Sequence, residues 1–261
     1  TEEMALENQV RQSQKMAAIG QLAHKVAHDI TNKLAVVIGR TQTAKDKLKE
    51  APEVARQLGE AIEASNRIAS LTAELLAFAH PAPLSSRTMS LDTAIEGTQE
   101  ILRRTIGSEV ALTFKFEAPD CLVNVDPIQI EQAIVHLAIN AMDAMPQGGT
   151  LCIETHPARL TEEESIKLQA GIHEKHWHPG KFGMIVITDT GCGMDEKIIP
   201  RIFEPFFTTK KDKKNIGLGL STVYRIIDQH NGFILVDSTP GRGTTFKILL
   251  PLLEEDGKTE S

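Results

Sequence analysis

The first 49 residues contain no proline, and their only glycines are Gly20 and Gly39. Apolar or small side chains recur there at Ile19, Leu22, Val26, Ile30, Leu34, Val37, Thr41, Ala44 and Leu48, with spacings of three and four. Such spacing places all of them on one stripe of a long amphipathic helix. Glu50-Ala51-Pro52-Glu53 interrupts the pattern, and a second stripe follows at Val54, Leu58, Ile62, Ser65, Ile68, Thr72, Leu75 and Phe78. Two long helices joined by a short turn make an antiparallel hairpin. A lone hairpin cannot bury both apolar faces, so pairing with a second copy into a four-helix bundle is expected. Pro81-Ala82-Pro83 is a stiff connector and marks a domain boundary.

Beyond that boundary the pattern changes. Leu91–Arg104 reads as helix, Val110–Phe116 alternates as a strand does, and Leu122–Val125 is a short strand. Asp126-Pro127 starts a helix, with aspartate as N-cap and proline in the first turn, and it runs to about Met145. Strands are predicted at Thr150–Thr155 and Gly183–Thr188, then a helix over Asp195–Phe203. A further helix opens at Gly217-Leu218-Gly219-Leu220 and ends near His230-Asn231-Gly232. Two last strands, Phe233–Ser238 and Thr244–Leu250, close the domain. Strands and helices mix without regular βαβ alternation, which predicts an α/β sandwich with helices on one sheet face.

Composition excludes several classes. A formal net charge of −7 argues against broad nucleic-acid affinity. Cys121, Cys152 and Cys192 are odd in number, widely spaced and free of CxxC pairing, which suggests a reducing, cytoplasmic setting. No apolar run approaches the roughly eighteen residues of a membrane span, so no membrane contact is expected of this region. The start at Thr1, without methionine, fits a piece of something longer.

Candidate chemistry falls in both regions. His24, His28 and Asn32 each lie two residues past a stripe position, about 200° around the helix at roughly 100° per residue, and so share its outward face. Three readings stay open on the residues alone: a solvated helix face, a nucleophilic imidazole assisted by Asp29, and a two-histidine metal site lacking a third ligand. In the second region Asp189-Thr190-Gly191-Cys192-Gly193-Met194 directly follows a strand. Its carboxylate could accept an exocyclic amine, and its glycines would let backbone approach a flat ring; a tight turn is the plainer alternative. Gly217-Leu218-Gly219-Leu220-Ser221 precedes a helix whose N-terminus can cradle phosphates, although the chain has no Walker GxxxxGK[ST]. Four lysines between Lys210 and Lys214 flank that position. Asn140 offers an oxygen suited to a hard cation such as Mg²⁺, or is simply satisfied by backbone.

Taken in order, these pieces resemble the catalytic core of the sensor histidine kinases. HDITN resembles the H-box, HLAINAMDAM the N-box, DTGCGM the first glycine box, EPFFTTK the F-box and GLGLS the second, and HNGFILVDSTPGRGTTFKILLP matches the family's ending. The resemblance covers nearly the whole chain. It implies a dimerisation and histidine-phosphotransfer domain over 1–83, an ATP-binding domain of the Bergerat fold over 84–254, and a polar tail over 255–261. It further implies that His28 is the phospho-acceptor, Asp29 its acid/base partner, and Asn32 a group that orients water in the reverse, phosphatase direction. Asp189 would take the adenine amine, with Gly191 and Gly193 walling the base and Thr244 helping through water. Asn140 would ligate Mg²⁺. Gly217, Leu218, Gly219 and Leu220 would line the phosphates, residues 206–216 would form the mobile ATP lid, and Lys210 would contact phosphate.

The implied activity is ATP-dependent autophosphorylation of His28 and phosphoryl transfer to an aspartate of a response-regulator receiver domain, performed by a homodimer. An ATPase clamp of the same fold, or a phosphatase-only relative, is the alternative. The chain departs from the family at His136, where an asparagine usually stands one turn before the metal asparagine. Imidazole prefers softer ions, which leaves phosphate contact or packing for His136. His173, His176 and His178 fall in a polar connection that reads as an exposed insertion rather than a zinc site.

Overall fold

The computed structural model describes residues 30–46, 52–79, 84–161, 179–209 and 217–253. The chain divides into two compact units, Thr1–Pro83 and Leu84–Ser261.

In the first unit, helix α1 covers residues 30–46 and α2 covers Pro52–Ala79. A Cβ at Gly59 would lie 3.4 Å from Lys45 Nζ, which brings the end of α1 beside the start of α2, as a hairpin requires. The α1 stripe differs by one position from expectation: Ile30, Leu34, Ile38, Thr41 and Ala44 are partly covered, whereas Val37 is exposed. On α2, Ser65 and Thr72 are buried on the predicted stripe. Their hydroxyls donate to the Ala61 and Ile68 carbonyls four residues back, at 2.8 and 2.7 Å, so neither leaves a polar atom unpaired. No described helix is long and apolar enough to cross a membrane.

The second unit contains β1 (Arg87–Ser90), α3 (Leu91–Glu96), α4 (Thr98–Thr105), β2 (Val110–Phe116), β3 (Leu122–Val125), α5 (Pro127–Ala144), β4 (Gly149–Leu160), β5 (Gly180–Asp189), α6 (Gly219–Gln229), β6 (Phe233–Thr239) and β7 (Gly243–Pro251). The main sheet has the order β2-β4-β5-β7-β6, and β1 pairs with β3 separately. Only β2 and β4 run parallel; the other pairings in the main sheet are antiparallel. Alternation along the strands sends one set of side chains to the helices. Ile153, Ile187, Phe246 and Val236 form one such cross-strand row, and Thr155, Ile185, Ile248 and Ile234 the next. Ile130, Ile134 and Leu137 of α5 and Val223, Ile226 and Ile227 of α6 belong to the same core. Each fully buried side chain of this size contributes about 1.5–3 kcal/mol.

Three elements differ from the sequence reading. The expected helix over Leu91–Arg104 is divided at Gly97, where the Thr98 hydroxyl takes the Ile95 carbonyl at 2.5 Å. The expected helix over Asp195–Phe203 is instead a series of tight turns with one 3-10 turn at Ile199–Arg201. Pro200 has no N–H to give the carbonyl of Glu196, and the bonds present run three residues back: Ile198 to Asp195, Arg201 to Ile198 and Ile202 to Ile199. Strand β1 has no counterpart in the sequence reading, because its four residues, Arg-Thr-Met-Ser, are too few and too polar to show a period.

Helices α5 and α6 are tied at one end. Asp126 caps α5, its Oδ1 accepting from the Ile128 and Gln129 amides at 3.0 and 3.4 Å and its Oδ2 from the Ser85 amide at 3.0 Å. The Asp126 N–H donates to Nε2 of buried His230 at 2.9 Å, so Nε2 is unprotonated. The proton therefore sits on Nδ1, which donates to the Ile226 carbonyl at 2.7 Å. We predict that His230→Ala, which orphans the buried Asp126 N–H while the Ile226 carbonyl keeps the backbone amide of residue 230, lowers unfolding free energy by roughly 1–3 kcal/mol. The shift of the denaturant midpoint measures this, and an unchanged midpoint would contradict the tie.

Candidate functional site

At one end of the sheet the apolar rows give way to a polar one. Asp189 lies directly opposite Thr244, and Thr244 directly opposite Ser238, so the three side chains share the helix-facing side across β5, β7 and β6. Asp189 is 5% and Thr244 6% exposed. Asp189 Oδ1 accepts from the Gly191 amide at 2.8 Å and the Thr244 amide at 3.3 Å. Its other oxygen has no protein donor among the described residues, which leaves a buried, charged acceptor facing whatever enters. Burial pushes the Asp189 carboxyl above the usual carboxylate range, and the two amides oppose that shift without cancelling it.

The backbone around this acceptor has no room for side chains. A Cβ at Gly191 would come within 2.7 Å of Ala144 Cβ and 2.8 Å of the Ala144 carbonyl. At Gly243, φ is +90° and a Cβ would fall 1.9 Å from the Asp189 carbonyl, so glycine is the residue this turn requires. Gly193 is likewise closed, by the Thr239 carbonyl at 2.0 Å. The turns on either side of the carboxylate are therefore folded tightly against the protein's own backbone, and only glycine fits them.

A second group of residues gathers where α5 meets the start of α6. His136 and Asn140 stand one turn apart on α5, and a Cβ at Gly219 would lie 3.6 Å from His136 Nδ1 and 3.8 Å from Asn140 Nδ2. Helix α6 has no side-chain N-cap among the described residues, and a helix N-terminus of that kind suits an anion. Leu218 is buried, which leaves its backbone rather than its side chain for that role; Leu220 is partly buried against the core. Gly217 closes the turn before the helix, its carbonyl accepting from the Phe206 amide at 2.9 Å. Burial holds the His136 imidazole below its ordinary range, so at neutral pH it is an uncharged hydrogen-bonding group and not a cation.

The structure thus brings together Asp189, Gly191, Gly193 and Thr244 in one cluster, and Asn140, His136 and Gly219 in another, with Gly217 at the turn leading into α6. Asn32 is exposed on α1, in the other unit. His24, His28, Asp29, Lys210, most of the expected lid, and the histidines at 173, 176 and 178 lie outside the described residues. Among the described residues no group of three or more metal-ligating side chains occurs. Asp126, His230 and Ser238 were not singled out as site residues by sequence reasoning. Their roles depend on partners 104 residues away in the first two cases and on a cross-strand neighbour in the third.

A buried carboxyl with a raised pKa binds its proton more tightly folded than unfolded. Its burden on stability is therefore greatest above the folded pKa and is relieved as pH falls through that value toward the ordinary carboxylate range. Asp189→Asn keeps an oxygen for the Gly191 and Thr244 amides while removing the charge. We predict that it leaves the ligand-free protein as stable or more stable at neutral pH, by thermal melting. A melting temperature lowered by several degrees would show that the carboxylate serves the fold instead.

Residues 125–254 match the family model described as histidine kinase-, DNA gyrase B- and HSP90-like ATPase. The sensor kinase CckA of Brucella abortus is 38% identical over 260 residues, covering all of this chain and 27% of the relative. Two solved structures share the fold. Full-length ShkA in complex with AMPPNP superimposes with a TM-score of 0.69 at 18% identity, covering 91% of this chain and 47% of that one. Histidine kinase ThkA, in complex with the response regulator TrrA, gives 0.60 at 21% identity, covering 98% of this chain and 69% of that one. The chain spans 27% to 52% of the length of the curated relatives it matches. With an ATPase-family domain from 125 to 254 and similarity to a sensor kinase along the whole of this chain, the chain belongs to the sensor histidine kinases, of which it is a catalytic core.

Proposed function

We propose that the chain is an ATP-dependent protein-histidine kinase that phosphorylates its own His28 and passes the phosphoryl group to an aspartate of a response-regulator receiver domain. What supports this reading most is the buried Asp189 carboxylate, one oxygen of which is held by the Gly191 and Thr244 amides while the other has no protein donor among the described residues. Asp189 accepts the exocyclic amine of adenine, and Thr244, next to it in the row, takes part in holding the base. The amides opening α6 receive the phosphates, with neutral His136 as a hydrogen-bonding neighbour. Asn140 supplies an oxygen for Mg²⁺; the donor set fits a hard cation, since Asn140 is an oxygen ligand and the phosphates provide the rest. When bound, Mg²⁺ screens the charge that develops on the phosphates.

In the phosphorylation step an unprotonated imidazole nitrogen of His28 forms a bond to the γ-phosphorus. The bond from that phosphorus to the β,γ-bridging oxygen breaks, and ADP leaves with the electron pair. Asp29 holds or takes the proton on the other ring nitrogen. In the second step a receiver carboxylate oxygen displaces the imidazole from phosphorus, and the imidazole regains a proton. Asn32, one turn past His28, orients water for the reverse, phosphatase reaction. The first unit pairs with its counterpart in a second copy to form a four-helix bundle, and light scattering that finds a monomer would contradict that arrangement.

Labelled ATP tests the acceptor assignment. His28→Ala is expected to abolish acid-labile phosphate incorporation while ATP binding persists, because the nucleotide residues lie in the other unit. Asp29→Asn is expected to slow incorporation by roughly 10²–10⁴-fold. Asn32→Ala is expected to retain much of the kinase activity but lose the phosphatase activity. Phosphate lost in His24→Ala but retained in His28→Ala would assign the other histidine, and no incorporation by the unmodified chain would favour an ATPase clamp or a phosphatase.

A further inference from the structure

Ser238 sits at the far end of the polar row and carries an unusual number of obligations for one hydroxyl. Its Oγ accepts from the Met194 amide at 2.9 Å, lies 3.1 Å from the Gly243 carbonyl, and lies 3.0 Å from Thr244 Oγ1. A carbonyl can only accept, so the single proton of Ser238 goes to Gly243. One assignment then makes all three contacts hydrogen bonds: Thr244 must donate its own proton to Ser238. With its proton spent, Thr244 Oγ1 has only lone pairs left to offer. One strand away, Asp189 Oδ1 is already engaged by two amides, and its remaining oxygen is likewise an acceptor.

We propose that Ser238 is a positioning residue for base selection: by taking the proton of Thr244, it makes the polar row a pair of adjacent acceptors with no side-chain donor. A base carrying an exocyclic amine has protons for such a row. A 6-oxo purine presents a carbonyl there and finds no donor. The position of Ser238 also explains the coupling to the turn around Gly193, since its acceptance of the Met194 amide fixes the segment that follows the base wall. This inference rests on the proposed reading of the site as an ATP site and adds a residue that does not itself touch the nucleotide.

The test compares ATP with inosine triphosphate, which differs at the 6-position by an oxygen in place of the amine, using calorimetric titration of the full chain with Mg²⁺. Ser238→Ala frees the Thr244 proton to point at the base. The preference for ATP over inosine triphosphate is expected to fall by about tenfold, the size of one hydrogen bond. Ser238→Thr, which keeps the hydroxyl on a strand position that suits a β-branched residue, is expected to restore the preference. In a Thr244→Val background Ser238→Ala should change the preference no further, because the group it acts through is gone. Ser238→Cys, which keeps a side chain of similar size but accepts a proton only weakly, should lower the preference in the same direction, and this holds the proposal to account even if the alanine variant fails to fold. Equal weakening of both nucleotides by Ser238→Ala, or an unchanged preference, would overturn the positioning role while leaving the ATP site intact. A wild-type chain that binds no ATP would overturn the site reading itself and this inference with it.

Discussion

The contact between the Asp126 amide and His230 is what the arrangement of the second unit depends on. It joins the first residue before α5 to the residue that ends α6, and so sets two antiparallel helices in register. The site lies at their other end. Asn140 is fourteen residues past Asp126 and Gly219 eleven before His230, about 21 and 17 Å at 1.5 Å per residue. Between the tie and the site, both helices bury apolar side chains in a common core, Ile130, Ile134 and Leu137 on one and Val223 and Ile226 on the other. A close-packed interface of that kind does not slide by small amounts. Fixing one end therefore fixes where His136 and Asn140 stand relative to the opening amides of α6.

The sheet supplies the complementary constraint. Most of its helix-facing side is apolar, and the free energy of the fold comes from covering it. Asp189 departs from that rule: it is a buried carboxylate whose pKa is raised by the burial that the surrounding fold imposes. The charge is tolerated because two amides answer one oxygen, and the other, with no donor among the described residues, is the acceptor that the proposed reading assigns to the base. The polar groups are thereby concentrated at one end of the sheet, where the turns at Gly191, Gly193 and Gly243 pack too tightly for any side chain.

Much of this was legible in the sequence. Strands β2 and β3 begin and end where alternation predicts, since Val110–Phe116 and Leu122–Val125 each have one buried and one open face. The start of α5 was legible because Asp126 and Pro127 signal a helix N-terminus by local chemistry. The places of Asp189 and Gly191 at the end of β5 and of Asn140 on α5 were legible from the strand and helix runs, whereas the roles given to them rest on the order of the motifs. What could not be read depends on distant partners or on backbone detail. Pro200 was passed over within a stretch that otherwise looks helical, and the missing N–H decided that segment. Strands β4 and β5 extend beyond the predicted runs, to Leu160 and back to Gly180, because antiparallel pairing with each other carries them past the point where their own composition speaks for a strand. The proton bookkeeping at Ser238 has no local signature at all.

The proposed function turns on whether the second unit recognises a purine through an acceptor that requires an amine. A competition titration measures this directly, with a fluorescent ATP analogue bound to the full chain in the presence of Mg²⁺ and displaced by ATP or by GTP. ATP is expected to displace the analogue, with at least about a hundredfold more GTP needed for the same effect, because guanine sets a carbonyl against the Asp189 carboxylate. Displacement by GTP at the same concentration as ATP would contradict it.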